Sequence, residues 1–198
     1  MYYIVGLGNP GEQYAHTRHN IGWLVLDDFS KKNNLPHAIA ARHVSSRVAE
    51  GNVAGVPITL LYPDTFMNHS GTAVRKLVPK GAEATLVVVC DDVDIPLGEV
   101  KISFGRGSGG HNGVTSIINS IGTKDFIRVR IGIAKSGIWP WDKGEIKRPK
   151  GGAALERHVL GVFSRREDEV LSGVLTTGTA ALKTIIEGGY VLAMNQYN

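Results

Sequence analysis

Cysteine is almost absent: Cys90 is the only one among 198 residues. No internal disulfide can form, so packing must hold the fold, and a reducing compartment is the expectation. No apolar run approaches the ~20 residues that cross a bilayer as a helix. The N-terminus has no basic region followed by an apolar segment and a cleavage site, so no secretory signal is evident and a cytoplasmic location is expected. No serine sits in a Gly-x-Ser-x-Gly elbow, and no glycine-rich loop ends in Gly-Lys-Ser/Thr. The usual serine hydrolases and P-loop nucleotide enzymes are thereby set aside. Cys90 lies in an apolar run, which leaves covalent catalysis without a good nucleophile. Internal repeats and linkers are also missing, so residues 1–198 read as one domain. The net charge of +4 favours an anionic partner without identifying it.

What is present begins with Tyr2-Tyr3-Ile4-Val5, a strand that runs into Gly6-Leu7-Gly8-Asn9-Pro10-Gly11. Thr17-Arg18-His19-Asn20 follows. Ile21, Leu24, Val25 and Phe29 then recur at helical spacing, and the helix should end near Asn33-Asn34. Residues 35–43 read as a loop. Arg47–Val53 and Val56–Tyr62 flank Ala54-Gly55, the pattern of a β-hairpin. A loop at Pro63–Gly71 leads into a short helix, Thr72–Val78. Thr85–Cys90 is a strand buried on both faces, ending at Asp91-Asp92-Val93-Asp94. Glu99–Phe104 and Ile127–Ile133 are further strands. Between them lie the glycine-rich loop Gly105–Gly113 and a helix through Val114, Ile117, Ile118 and Ile121 with Gly122 as its cap. Residues 135–153, with Trp139, Trp141 and several basic residues, suggest an exposed loop. Ser164 and Glu167 match a capping box, opening a helix that should stop at Gly188-Gly189. Strands interleaved with helices indicate an α/β fold.

Several motifs invite chemistry. Gly6-x-Gly8-x-x-Gly11 has the form of a dinucleotide fingerprint, but the acids at the right distance, Asp27 and Asp28, fall within a helical pattern and Pro10 removes a donor. His19, at a helix start beside a strand-end loop, can serve as a general base near neutral pH. Asp91, at the end of the most apolar strand, is the best candidate to orient it. Asp91, Asp92 and Asp94 could instead form a solvated turn or a metal site, although no histidine spacing supports the latter. Asn9, Asn68 and Asn112 each occupy a loop between a strand and a helix. They read either as caps or as neutral donors and acceptors for an amide or ester. His111 reads as a loop hydrogen-bonder. The Gly105–Gly113 loop permits close backbone approach, and Lys101, Arg106 and Arg130 add positive charge nearby. A base-activated water remains as the chemistry.

The motifs quoted so far, with Tyr14, Thr65-Phe66-Met67-Asn68-x-Ser70-Gly71, Asp91-Asp92-Val93-Asp94-Ile95-Pro96, Gly109-Gly110-His111-Asn112-Gly113 and Arg128-Val129-Arg130-Ile131-Gly132-Ile133, resemble those of bacterial-type peptidyl-tRNA hydrolase. The resemblance continues through Val159-Leu160-Gly161-x-Phe163 and covers nearly the whole chain. It implies a monomer with a twisted mixed sheet flanked by helices, which hydrolyses the ester between a peptide and the 3′ end of tRNA without metal or organic cofactor. Position by position, it makes His19 the proton acceptor, with Asp91 stabilising its basic form. Asn9 would help discriminate N-blocked from free aminoacyl groups. Tyr14, Phe66, Asn68 and Asn112 would line the substrate site, with Met67 packed beside it. Arg130 matches a basic residue of the family's phosphate clamp. Ser103 and Thr115 depart from it, standing where relatives often carry lysines. Arg106 and the segment Lys143–Lys150 are expected to supply the missing charge. The rival reading is a non-catalytic RNA-binding relative, with a dinucleotide enzyme behind it.

Overall fold

The computed structural model describes residues 1–134, 149 and 151–198. At its centre β1 (Tyr2–Gly6) lies parallel to β4 (Val56–Pro63) on one side and to β5 (Leu86–Pro96) on the other. The sheet extends antiparallel through β3 (Ser46–Val53) to β2 (Ile39–Ala41). Beyond β5 it continues through parallel β7 (Ile127–Ala134) to antiparallel β6 (Val100–Phe104). The order is β2-β3-β4-β1-β5-β7-β6, the mixed sheet that was expected.

Both faces are covered, which explains the unbroken apolar runs of β1 and β5. Ile4, Val87, Val89 and Val129 pack with Ile21, Val25 and Phe29 of α1 (Ile21–Lys32) and with Leu182 and Ile185 of the C-terminal helix. On the other face Val5, Leu61, Val88 and Cys90 meet Val74 of α2 (Ser70–Leu77) and Val114 and Ile117 of α3 (Asn112–Ile121). Gly22 lets the first turn of α1 settle onto the carboxyl ends of β1 and β5. A Cβ there would lie 2.5 Å from the Leu7 nitrogen and 2.6 Å from the Val89 oxygen. The residues just before α1, His19 among them, are thereby fixed over the end of the sheet.

The hairpin at Ala54-Gly55 is present, with left-handed φ values of 53° and 81° at its two central residues, as a two-residue hairpin turn requires. Four expectations need correction. The loop predicted at 35–43 contains β2; its side chains are largely exposed, and backbone pairing to β3 holds it in place. The strand predicted to end at Cys90 runs on to Pro96, with an irregularity in its pairing to β7 between Asp92 and Pro96. Asp91 and Asp92 therefore stand in the paired part of a strand, opposite Ile131 and Gly132, and Asp94 in the irregular stretch that follows, rather than all three in a turn beyond it.

The third correction concerns the last helix. Its capping box is formed as predicted, and the helix breaks at Gly189, where φ is 83° and ψ 165°. Helix then resumes, so that α5 spans Arg165–Tyr197. Asn198 follows, and its side-chain amide pairs with both the N–H (2.7 Å) and C=O (3.0 Å) of Ile102 on edge strand β6. A further helix, α4 (Gly152–Val159), begins inside the stretch read as the loop 135–153. Most of that stretch, including Trp139, Trp141 and the basic residues of the Lys143–Lys150 segment, lies outside the described residues.

Candidate active site

His19 occupies a single 3-10 turn, Arg18–Asn20, between the β1 loop and α1, and is only 8% exposed. Its Nδ1 lies 2.7 Å from Oδ1 of Asp91, a β5 carboxylate that is itself 4% exposed. The same oxygen is reached by Nε2 of His111 at 3.0 Å. His111 is the N-cap of α3, and its Nδ1 accepts the N–H groups of Gly113 and Val114. An acceptor at Nδ1 places the proton on Nε2, so His111 donates to Asp91. With His19 donating to that oxygen through Nδ1, its Nε2 keeps the lone pair. His111 is thus the loop hydrogen-bonder that was expected, and in addition it braces the carboxylate.

The electrostatics follow from this arrangement. Burial alone would hold the His19 imidazole neutral, but the charge and hydrogen bond of Asp91 outweigh it and raise the pKa. Burial likewise favours a protonated Asp91, yet the two histidines win and hold that carboxyl far below the usual range. His19, Asp91 and His111 bring three potential metal-ligand atoms within 4.8 Å of one another. His19 Nδ1 and His111 Nε2 already donate to Asp91 and His111 Nδ1 accepts two backbone N–H groups, so only Nε2 of His19 offers a lone pair without breaking these bonds.

A cavity of about 1000 Å³ opens beside His19. Asn9, 6% exposed, lines it, with side chain and backbone each held by hydrogen bonds. The Met67 N–H donates to its Oδ1 at 2.8 Å, while its own backbone exchanges two hydrogen bonds with the fully buried side chain of Asn20. With Oδ1 so engaged, the Nδ2 hydrogens are what Asn9 can offer a ligand. Met67, Asn68 and Asn112 also line the cavity, the latter two from exposed positions. Tyr14 and the 56%-exposed Phe66 meet edge to face with centroids 6.5 Å apart.

Of the predicted cations, Arg106 and Arg130 line the cavity. Arg130 donates to Asp92 at 3.0 Å. Lys101 stands apart from the cavity lining, with Nζ 3.7 Å from Glu99 and 3.4 Å from the Asn198 carbonyl. Sequence reasoning passed over three features here: Asn20, the buried Arg128, and an apolar wall from Leu155, Val159 and Leu160 in and after α4. For α4, an i, i+4 pair of apolar residues was the available signal, but it is short and adjoins Gly151-Gly152.

Also unforeseen is a brace behind the His19 turn. Arg18, buried next to His19, donates through Nη2 to both carboxylate oxygens of Glu167 at 2.9 Å, and its guanidinium lies 5.3 Å from the Phe163 ring centre. Its backbone N–H donates to Gly161. Glu167 meanwhile accepts the Ser164 N–H that closes the α5 capping box. One carboxylate therefore ties the start of α5 to the histidine turn. Glu167→Ala should strand a buried guanidinium and destabilise the fold by about 3 kcal/mol in chemical denaturation. Turnover should drop more than substrate affinity, and Glu167→Gln should fall between the two.

Comparison with known proteins places this geometry. A family model described as peptidyl-tRNA hydrolase matches residues 3–198. A peptidyl-tRNA hydrolase of Thermodesulfovibrio yellowstonii is 39% identical, covering 100% of this chain and 99% of the relative. One from a Synechococcus strain is 40% identical over 98% of this chain and 81% of its own. The crystal structure of peptidyl-tRNA hydrolase from Acinetobacter baumannii superposes with a TM-score of 0.85 at 30% identity, covering 100% of this chain and 94% of that one.

Proposed function

The chain belongs to the peptidyl-tRNA hydrolase family and is an enzyme that hydrolyses peptidyl-tRNA, and we propose that it does so with water activated by His19. The observation that carries this mechanism is the His19–Asp91 pair, which leaves Nε2 unprotonated at the edge of a cavity. That nitrogen takes a proton from water as the oxygen attacks the ester carbonyl. Asp91 stabilises the imidazolium that forms. Neutral amide donors, Asn9 foremost with Asn68 and Asn112 at the rim, face the charge developing on the carbonyl oxygen. Collapse of the tetrahedral intermediate expels the 3′ oxygen of the terminal ribose, which recovers the proton from His19. The peptide leaves as a carboxylate and the tRNA as a free alcohol. Tyr14 and Phe66 supply flat apolar surface for the substrate, with Met67 behind them. Arg106, Arg130 and, more remotely, Lys101 contribute positive charge toward the RNA. No metal or organic cofactor is needed for any of these steps. None of the described helices is long and apolar enough to cross a membrane. We place the protein in the cytoplasm as a monomer acting on peptidyl-tRNA released during translation.

The test is release of N-acetylaminoacyl groups from tRNA by purified protein, with and without EDTA, against unacetylated aminoacyl-tRNA. EDTA-insensitive release selective for the blocked ester supports the reading. Tight tRNA binding without release would favour the RNA-binding relative instead. Asn9→Asp sharpens the same assay, because it keeps an acceptor for the Met67 N–H and removes the Nδ2 donors. A site built around a donor loses much of its rate when that donor is replaced, so kcat/KM should fall about 100-fold, and the preference for N-blocked substrate should shrink.

A further inference from the structure

Asp91 meets two histidines through a single atom. Its Oδ1 lies 2.7 Å from Nδ1 of His19 and 3.0 Å from Nε2 of His111, and the two ring centres are 5.0 Å apart. The two donors are not equivalent. His19 keeps an unprotonated Nε2 and becomes an imidazolium when it takes a proton. His111 is fastened from behind: its Nδ1 accepts the N–H groups of Gly113 at 3.1 Å and Val114 at 3.3 Å, in the first turn of α3. As long as α3 is capped in this way, His111 gives Asp91 a hydrogen bond and no charge. Burial favours the protonated acid at Asp91, and both histidines counter it.

A neutral donor on that oxygen has two effects. It stabilises the buried carboxylate whether or not His19 is charged. It also places the positive end of an N–H bond beside the oxygen that holds the His19 proton, and so weakens that hold. We propose that His111 is a positioning residue that sets the basicity of His19 by sharing Asp91 Oδ1 with it, keeping His19 unprotonated to lower pH than Asp91 alone would allow. The inference rests on the reading of His19 as the base that activates water, and deepens it. Other charges near His19 are the same with or without His111. Arg18, on the His19 turn itself, is met by Glu167 of α5, and Asp92 of β5 is met by Arg130 of β7. Burial pushes the Cys90 thiol up, so it stays neutral. Tyr14, His69, Asp94, Arg106, Arg128 and Glu156 share the cavity lining, yet Asp91 is the one charged group that opposes burial in setting the His19 shift.

Two substitutions divide the functions of His111. In His111→Asn the amide oxygen takes the place of Nδ1 and caps the helix well, but the side chain is too short to replace Nε2. In His111→Gln the amide nitrogen reaches as far as Nε2 and donates to Asp91, at the expense of the cap. Heteronuclear NMR of the ring nitrogens in the free protein should show His19 of His111→Asn titrating at higher pH than in wild type, with the melting temperature nearly unchanged. The acidic limb of kcat/KM for N-acetylaminoacyl-tRNA should move with it. On that limb, activity relative to each protein's own plateau should fall about fivefold, the scale of one neutral hydrogen bond. His111→Gln should return both readouts toward wild type although it melts lower. A wild-type titration of His19 in His111→Asn, or equal displacement in both variants, would overturn the proposal and leave His111 as a helix cap. If neither variant folds, the wild type decides. Above the pH at which His19 titrates, His111 should carry its proton on Nε2 and His19 on Nδ1, and an Nδ1-protonated His111 would sink the idea. If the wild type cleaves no ester, the hydrolase reading has failed, and the His19 titration still tests the coupling.

Discussion

His19→Ala should reduce release of N-acetylaminoacyl groups from tRNA by about 10²–10⁴-fold, the usual contribution of a positioned general base. It should leave tRNA affinity nearly intact. The fold should survive, because Asp91 keeps the hydrogen bond from His111 and α1 remains seated through Gly22 and its apolar face. The imidazole lies at the edge of the cavity, so truncation opens a space that a small base can enter. Added imidazole should therefore restore part of the lost rate, rising with the fraction of neutral imidazole as pH increases. A variant that kept most of its activity would show that the water is activated elsewhere. One that lost tRNA binding as well would assign His19 a structural role. Steady-state kinetics paired with a binding titration separates the three outcomes.

The parts of this site that could be read from sequence are those where one short stretch carries its own signal. Asp91 ends the most apolar run in the chain, and His19 stands where a helical pattern starts, so both had to lie at the carboxyl edge of the sheet. Asn9 stood out in a turn whose glycines explained everything else. Legibility failed where meaning depends on a distant partner. Arg18 and Glu167 are 149 residues apart, and only the packed fold shows that one capping carboxylate serves both a helix start and the His19 turn. Asn20 reads as a helix-start residue, whereas it clamps the Asn9 backbone. The second bond to Asp91 was hidden because His111 has an adequate local role as an N-cap. Edge strand β2 was missed for another reason: its side chains are largely exposed, so no apolar alternation marks it.

Asp91→Asn should be nearly as damaging as loss of His19, and its pH dependence distinguishes charge from geometry. Both histidines donate to a single oxygen, Oδ1, at 2.7 and 3.0 Å. An asparagine could present its own carbonyl oxygen to both and keep the His19 tautomer. What it cannot supply is the charge that stabilises the imidazolium, so kcat should fall about 10³-fold. In the wild type, kcat/KM should decline as pH drops through the raised pKa of His19, because the protonated ring is no longer a base. Without the carboxylate, burial acts alone on His19, and that acidic limb should move to lower pH. Stability should respond in the opposite sense. A histidine whose folded pKa is raised stabilises the fold fully below its unfolded value of about 6.5, and that contribution is lost as pH rises through the folded value. The depressed pKa of Asp91 contributes above about 3.9 and is lost as pH falls below it toward the folded value. Melting temperatures of the wild type should therefore drop on both flanks, above about pH 6.5 and below about pH 4; the asparagine variant should lose both dependences and, with burial alone acting on His19, should instead become less stable as pH falls below about 6.5. On the proposed mechanism the two demands oppose each other: the Asp91 charge that raises the His19 pKa stabilises the fold through the protonated ring, whereas only the unprotonated ring can accept a proton from water.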